Sequence, residues 1–262
     1  MQVITEEAVR QMVYKQKLTE IAVAPEDFIS IEAKRYIREK GFKIVLSGGQ
    51  VDKGVPAVNS DIRPVGVDGK KPRFTDAVTG QTYDKKPEHM THLHAAVLVP
   101  KNHPRIVLRG KLDSFEAELV MAMVRAKAEG RQRLVADLNE LLSLARRILA
   151  AEVTEKPLEE QPLLGLDSAG LREASHNPQA RFNRGHILPS EALSFTGATL
   201  NLFRARVREV ELAAMDAFWQ DDQIGRPDLI KALNRMSSAC YIMMFFELSG
   251  RYAPQEKAEG QQ

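Results

Sequence analysis

Four stretches of this chain place apolar residues at alternating steps of four and three, and no other feature limits the fold as strongly. In "HPRIVLRGKLDSFEAELVMAM" the series is Leu108, Leu112, Phe115 and Leu119; a second runs Leu134, Leu138, Leu141, Ala145 and Ile148. A third is Leu200, Phe203, Val207, Val210 and Ala214, and a fourth Leu229, Leu233, Met236, Cys240 and Met243. That rhythm lines one face of an α-helix, and a one-faced helix must bury its stripe on a neighbour. The first helix is expected to end near Gly130; the last two are expected over 199–220 and 227–250, with Gly225 as breaker and Pro227 at a first helical position. Short connections make sequential helices antiparallel neighbours. The fold class is therefore mainly α: an antiparallel bundle of four to five helices over residues 90–252, with a short helix near 168–174 in its long connection.

The N-terminal third has another texture. "TEEAVRQMVYKQ" reads as a short helix, and "SIEAKRYIREKGFKIVL" as a helix stopped by Gly41 and followed by a strand. Residues 1–46 form a small α/β extension in this reading. Residues 47–89, rich in Gly, Pro, Asp and Lys, form a loop-rich linker with a few short strands at most, and 253–262 form a frayed tail.

Bulk charge excludes little and implies less. A net charge of +2 gives no basis for nucleic acid or an anionic membrane as partner, so an anion site has to be a local cluster. The single cysteine, Cys240, rules out an intramolecular disulfide and a cysteine-built zinc or iron–sulfur site. No apolar run has the length of a membrane span, and the first residues carry acids rather than a signal sequence; a cytoplasmic protein is expected.

Two helices carry polar groups where apolar ones are due. Arg204, Arg208 and Glu211 form a stripe beside the Leu200–Ala214 face, while Arg206 and Glu209 read as a solvated face. Arginines one turn apart repel unless an anion lies near them. Asp113, beside the Leu112–Phe115 seam, is a candidate partner for Arg204, which leaves Arg208 for a phosphate that guanidinium grips bidentately. A rim of interhelical salt bridges explains the same spacing. In the last helix Asn234, Arg235, Ser237 and Ser238 interrupt the buried pattern, and each needs a partner from a neighbouring helix or a ligand.

"HPRIVLRGKLDSFEAEL", "HILPSEALSFTGATLNLFRARVREVE" and "RPDLIKALNRMSSACYIMM" stand in the order of three blocks of the ATP:corrinoid adenosyltransferases. The chain resembles the ethanolamine-utilisation type most, in which "MTHL" also precedes the first block. The resemblance covers about 86–250. It implies transfer of the 5′-deoxyadenosyl group of ATP, with Mg²⁺, to cob(I)alamin, in an often trimeric bundle with sites between subunits. Residue by residue it makes Arg208 a triphosphate ligand, Arg204 the partner of Asp113, Asn234 a nucleotide ligand and Lys101 a phosphate ligand. Glu211 closes the stripe, and Arg235 takes a structural salt bridge.

The sequence departs from its relatives in three places. A Gly-rich phosphate segment of the propanediol-type relatives is replaced by "KKPEHMTHLHAAVLVP", where Thr91 and His92 are the candidate substitutes; a strand or helix start with His94 packed in it explains the stretch as well. The His and Cys-Cys-x-x-Cys metal cluster of some ethanolamine-type relatives has no counterpart, and His89, His92 and His94 lack a carboxylate at helical spacing, so no structural metal is expected. His186 stands where the propanediol type has a phenylalanine that acts on the lower cobalamin ligand; it is the candidate corrinoid contact, or else packs at a helix entrance. Two other function classes stay open at this point: a carrier that binds cobalamin or nucleotide without turnover and delivers it to a corrinoid-dependent enzyme, a lyase or dehydratase, and a microcompartment-associated scaffold.

Overall fold

A computed structural model describes residues 3–16, 20–23, 28–29, 33, 36–37, 40, 42–46, 73–220 and 222–254. The chain divides into two compact units, at Arg63/Pro64. In the first, helix α1 (Glu6–Gln16) accompanies two parallel strand pairs: β1 (Val3–Ile4) with β3 (Phe28–Ile29), and β2 (Glu20–Val23) with β4 (Lys43–Leu46). Ile4, Val9, Ile21, Val23, Ile29 and Ile37 form its core. The α/β character expected for residues 1–46 is present, including the helix after Thr5 and the strand at 43–46. Most of the helix expected from Ser30 to Gly41, and all of 47–72 and 255–262, lie outside the described residues.

The second unit begins with a four-stranded sheet. Strands β5 (Phe74–Asp76), β6 (Thr82–Tyr83), β7 (Met90–His94) and β8 (Val97–Pro100) lie in the order β6-β5-β8-β7, with β5 parallel to β8 and the other pairs antiparallel. Thr75 pairs with Val97 across the expected boundary at residue 89/90, so 73–89 belongs to this sheet rather than to a linker. The reason is local: Asp76 turns the chain by accepting from the Val78 amide (2.8 Å) and the Thr79 hydroxyl (2.7 Å), a side-chain turn that mimics a backbone one. "LHAAVLV" is neither one strand nor a helix start but two strands joined at Ala95, whose φ is 43°.

Four long helices follow: α2 (Pro104–Ala128), α3 (Gln132–Thr154), α6 (Phe195–Phe218) and α7 (Pro227–Leu248), with short α4 (Ser168–His176) and α5 (Pro178–Phe182) between α3 and α6. The expected apolar stripes are the core: Leu108, Leu112, Leu119, Leu141, Ile148, Val207, Leu229, Met236 and Cys240 are each 0% or 1% exposed or nearly so. Gly130, with φ at 73°, allows the tight return from α2 to α3. Ser194 caps α6 by accepting from the Gly197 amide at 3.0 Å, so the helix begins at Phe195, four residues upstream of the expected start.

Cross-helix pairs give the directions. Arg105 meets Glu152 and Arg146 meets Glu116, so α2 and α3 are antiparallel; Arg206–Glu118 and Lys111–Glu209 make α2 and α6 antiparallel as well. Helices α3 and α6 are consequently parallel, and the chain between them must travel the length of a helix of about 35 Å. That explains the long connection. It is seated by Leu171 and Ala174, both 1% exposed, and by Phe182 stacked on Phe245 at 4.6 Å.

Candidate functional site: a polar seam between two helices

Helices α6 and α7 are antiparallel neighbours, and the polar groups that interrupt their apolar pattern meet along one seam. At one point Asn234 Nδ2 donates to Glu211 Oε1 at 3.3 Å. About two turns away, some 10 Å along the axis, Arg204 and Tyr241 line a common cleft. The register between those points sets Arg208 midway, level with Ser237. Arg208 is exposed and makes no hydrogen bond or ion pair with any described residue. Ser237 and Ser238 are half-buried and likewise unbonded, so the seam is shallow opposite the free guanidinium.

Arg235 corrects an expectation. It makes no salt bridge with a described residue; Nη2 donates to Asn234 Oδ1 at 2.6 Å and Nη1 to the Ser168 carbonyl at 3.3 Å, while its buried Nε has no partner among the described residues. Burial, with the charge of Arg172 added, holds its pKa below the usual guanidinium range. Its effect on the seam is to fix the Asn234 amide: with Oδ1 taken by Arg235, Nδ2 is turned toward Glu211.

At the far end Arg204 donates through Nε (3.3 Å) and Nη2 (3.1 Å) to Asn201 Oδ1, one turn back on its own helix. The expected Arg204–Asp113 pair is not formed within the chain, and Asp113 is exposed without a partner among the described residues. Phe115 packs edge-on against Phe203 (5.8 Å, 87°), which turns the Arg206 flank of α6 toward α2 and the Arg204 flank toward α7. Arg206 and Glu209, expected as a solvated face, are 43% and 46% exposed and also carry the cross-helix pairs, Arg206 to Glu118 at 3.0 Å and Glu209 to Lys111 at 3.5 Å. His186, exposed in the chain before α6, places Nδ1 3.1 Å from the Tyr241 hydroxyl and so lies beside Arg204.

The structure does not bring Lys101, Thr91 and His92 to the seam. Lys101 pairs with Glu88 at 3.2 Å; Thr91 is in the β7 ladder opposite Val99; and His92 Nδ1 lies 2.9 Å from the Ala95 carbonyl, its ring edge-on to Phe74. All three sit where α2 begins and α6 ends, as Arg105 over the Phe218 ring shows, about 15 Å of helix from Arg208. Among the described residues no group of three or more His, Cys, Asp and Glu side chains is arranged to hold a metal ion.

Reading for chemistry alone missed the group that fixes this end. Glu152, fully buried, accepts from Arg105 Nε and Arg109 Nε, each at 2.5 Å; Arg109 also donates to the carbonyls of His92 (3.1 Å) and Leu93 (2.7 Å), binding the β7–β8 hairpin to the bundle. A signal was present: Arg105 and Arg109 are one turn apart, the spacing that singled out Arg204 and Arg208, and they stand at a helix N-terminus, where the dipole disfavours cations.

Residues 82–247, which contain the whole seam and the β7–β8 hairpin, match the cobalamin adenosyltransferase family. The chain belongs to that family. Among curated relatives, the corrinoid adenosyltransferase EutT of Escherichia coli K12 is 35% identical over 170 residues, 64% of this chain and 62% of that protein. EutT of Salmonella typhimurium LT2 is 35% identical over 166 residues, 63% of this chain and 61% of its own. The match thus spans less than two thirds of the length of these relatives. No solved structure matches the chain significantly. The family's matched region is the helical unit with most of its sheet, and the α/β unit before Arg63 lies outside it.

Proposed function

We propose that this chain transfers the 5′-deoxyadenosyl group of ATP to cob(I)alamin, giving adenosylcobalamin and inorganic triphosphate. The observation that carries the reading is the unpaired Arg208, set between the Asn234–Glu211 pair and the Arg204–His186 cleft. An arginine held beside a polar helix seam with no carboxylate on it is available for a phosphate chain. Asn234, fixed by Arg235, would meet the nucleoside, and His186 and Arg204 would meet the corrinoid. Cobalt(I) is itself the nucleophile at C5′; the C5′–O bond breaks and its electron pair leaves with the triphosphate. No side-chain base is required, so the protein's work is to align C5′ and stabilise the departing anion with preorganised positive charge. Mg²⁺ bound with ATP would share that charge, and Glu211 is the seam carboxylate suited to its shell, since Mg²⁺ takes one or two carboxylates plus substrate phosphates.

A homo-oligomer with sites between subunits completes this reading. Met121 (74% exposed) and Val124 (66%) on α2 and Leu212 (67%) on α6 are large apolar groups left in solvent by one chain. A second copy would supply the Asp113 that Arg204 lacks, and Lys101, Thr91 and His92 from another chain would reach the phosphates. The expected setting is the cytoplasm, in ethanolamine breakdown; no helix among the described residues is long and apolar enough to cross a membrane.

The test is anaerobic: reduced cobalamin and Mg·ATP with wild type and Arg208→Ala, following loss of the Co(I) absorption and triphosphate release. Loss of turnover by about 10²–10³ in the variant, the scale of removing one preorganised donor, supports the reading. Cobalamin binding by wild type with no triphosphate release would make the chain a carrier.

A further inference from the structure

The cleft of about 280 Å³ at the Arg204 end of the seam is lined by His186, Ile187, Pro189, Asn201, Arg204 and Tyr241, and holds no carboxylate. Tyr241 organises it. Its hydroxyl accepts from the Ile187 amide at 2.9 Å and lies 3.1 Å from His186 Nδ1, with the two rings 6.2 Å apart and 18° from parallel. A phenol has one proton to give. Among the described residues His186 Nδ1 is the one acceptor within reach of the Tyr241 proton, and a bond running from the phenol to Nδ1 fixes the tautomer of the ring. A neutral imidazole that accepts at Nδ1 carries its proton on Nε2.

We propose that Tyr241 is a positioning residue that holds His186 as the Nε2–H tautomer and so makes the cleft a set of hydrogen-bond donors for acceptor oxygens of the substrate. Arg204 spends Nε and Nη2 on Asn201 Oδ1, which leaves Nη1 free and the Asn201 amide N–H groups unpaired. With His186 Nε2–H, the side chains of His186, Asn201 and Arg204 each offer the cleft an uncommitted donor. Such a cleft suits carboxamide carbonyls or phosphodiester oxygens, the strongest acceptors at the edge of a cobalamin, and it gives His186 a role at the periphery of the corrinoid. The identity of the ligand rests on the adenosyltransferase reading; the tautomer does not.

The experiment uses the full chain labelled with ¹⁵N-histidine. On the alkaline side of the histidine titration, the resonances that vanish in His186→Gln should show a protonated Nε2 and an unprotonated Nδ1, and Tyr241→Phe should convert them to a mixture. The same variant should raise the KM for cobalamin about fivefold, as loss of one hydrogen bond does, with the KM for ATP unchanged. His186→Gln, whose amide nitrogen can reach the Nε2 position, should retain corrinoid affinity where His186→Leu loses it. Cobinamide, which keeps the carboxamides but has no nucleotide loop, separates the sources: an equal effect of Tyr241→Phe on both corrinoids assigns the carbonyls, and an effect on cobalamin alone assigns the phosphodiester. A protonated Nδ1 in wild type, or equal KM changes for ATP and corrinoid, overturns the proposal. A wild type that binds neither corrinoid overturns the assigned ligand and the functional reading together, while the tautomer is still decided by the resonances.

Discussion

Replacing Glu152 by glutamine tests whether the buried carboxylate, and not apolar packing alone, holds the sheet end of the bundle. Glu152 is 0% exposed and accepts from two guanidinium groups at 2.5 Å, those of Arg105 (14% exposed) and Arg109 (17%). Glutamine keeps the shape but removes the charge and turns an N–H₂ group toward a guanidinium. Breaking a buried ion pair by removing one partner costs about 3–5 kcal/mol. The arginines' exposed edges, and the Glu155 and carbonyl partners they retain, put this case near the lower end, about 3 kcal/mol. For a helical unit of this size that is a fall in Tm of about 6–12 °C. Far-UV circular dichroism during thermal and urea denaturation reads it, with Glu155→Gln as control. Glu155 bonds the same Arg105 at 2.7 Å but is 56% exposed, so its loss should cost about 0.5 kcal/mol or less. Equal stabilities for the two variants, or Glu152→Gln within about 1 kcal/mol of wild type, would refute the reasoning.

Two further outcomes follow from buried or half-buried acids. The Tyr252 hydroxyl donates to Asp137 Oδ2 at 2.6 Å, with Tyr252 0% and Asp137 6% exposed, so Tyr252→Phe strips a buried carboxylate of its closest donor; urea denaturation should show a loss of about 1–3 kcal/mol. Hydrogen bonding from Arg226, together with the Leu158 amide, holds the Asp228 carboxyl down at about 2. Its folded pKa is below the unfolded one, so the stabilisation is present above about pH 4 and is lost as pH falls toward 2. Asp228→Asn should cost about 1–2 kcal/mol near neutrality, after allowance for its partial exposure, and show a shallower acid limb in denaturation between those pH values.

The helices, their inward faces and the family were legible in the residues because they are local facts. A step of four and three fixes which side chains share a face whatever lies opposite, and spaced motifs such as "RARVREVE" with "NRMS" are read without a fold. Gly130 sits where α2 ends and Pro227 where α7 begins for the same reason, whereas α6 stops at Phe218, short of Gly225, because Trp219–Gln220 pairs with Gln223–Ile224. Strands were half-legible: "KIVL" showed as extended and "LHAAVLV" stayed open between strand and helix start, but the short strand at 74–76 gains its identity only by pairing with residues 97 and 98, and the one at 82–83 by pairing with 74 and 75.

Which polar group meets which was decided by the tertiary structure alone. The sequence offered Asp113 and Arg204 as a pair, and the edge-on contact of Phe115 with Phe203 turned α6 so that Arg206 faces α2 and Arg204 faces α7. Helical periodicity specifies a face to within the width of a side chain, yet a flank differs from its neighbour by a rotation smaller than that, set by how two ridges interlock. Arg235 lost its expected salt bridge for a similar reason, since its partner on the connection is a backbone carbonyl that no residue type announces. The unpaired Arg208, the shallow stretch at Ser237 and Ser238, and the Tyr241–His186 contact all depend on the antiparallel register of α6 and α7. That register is a property of two helices together, and neither sequence segment contains it.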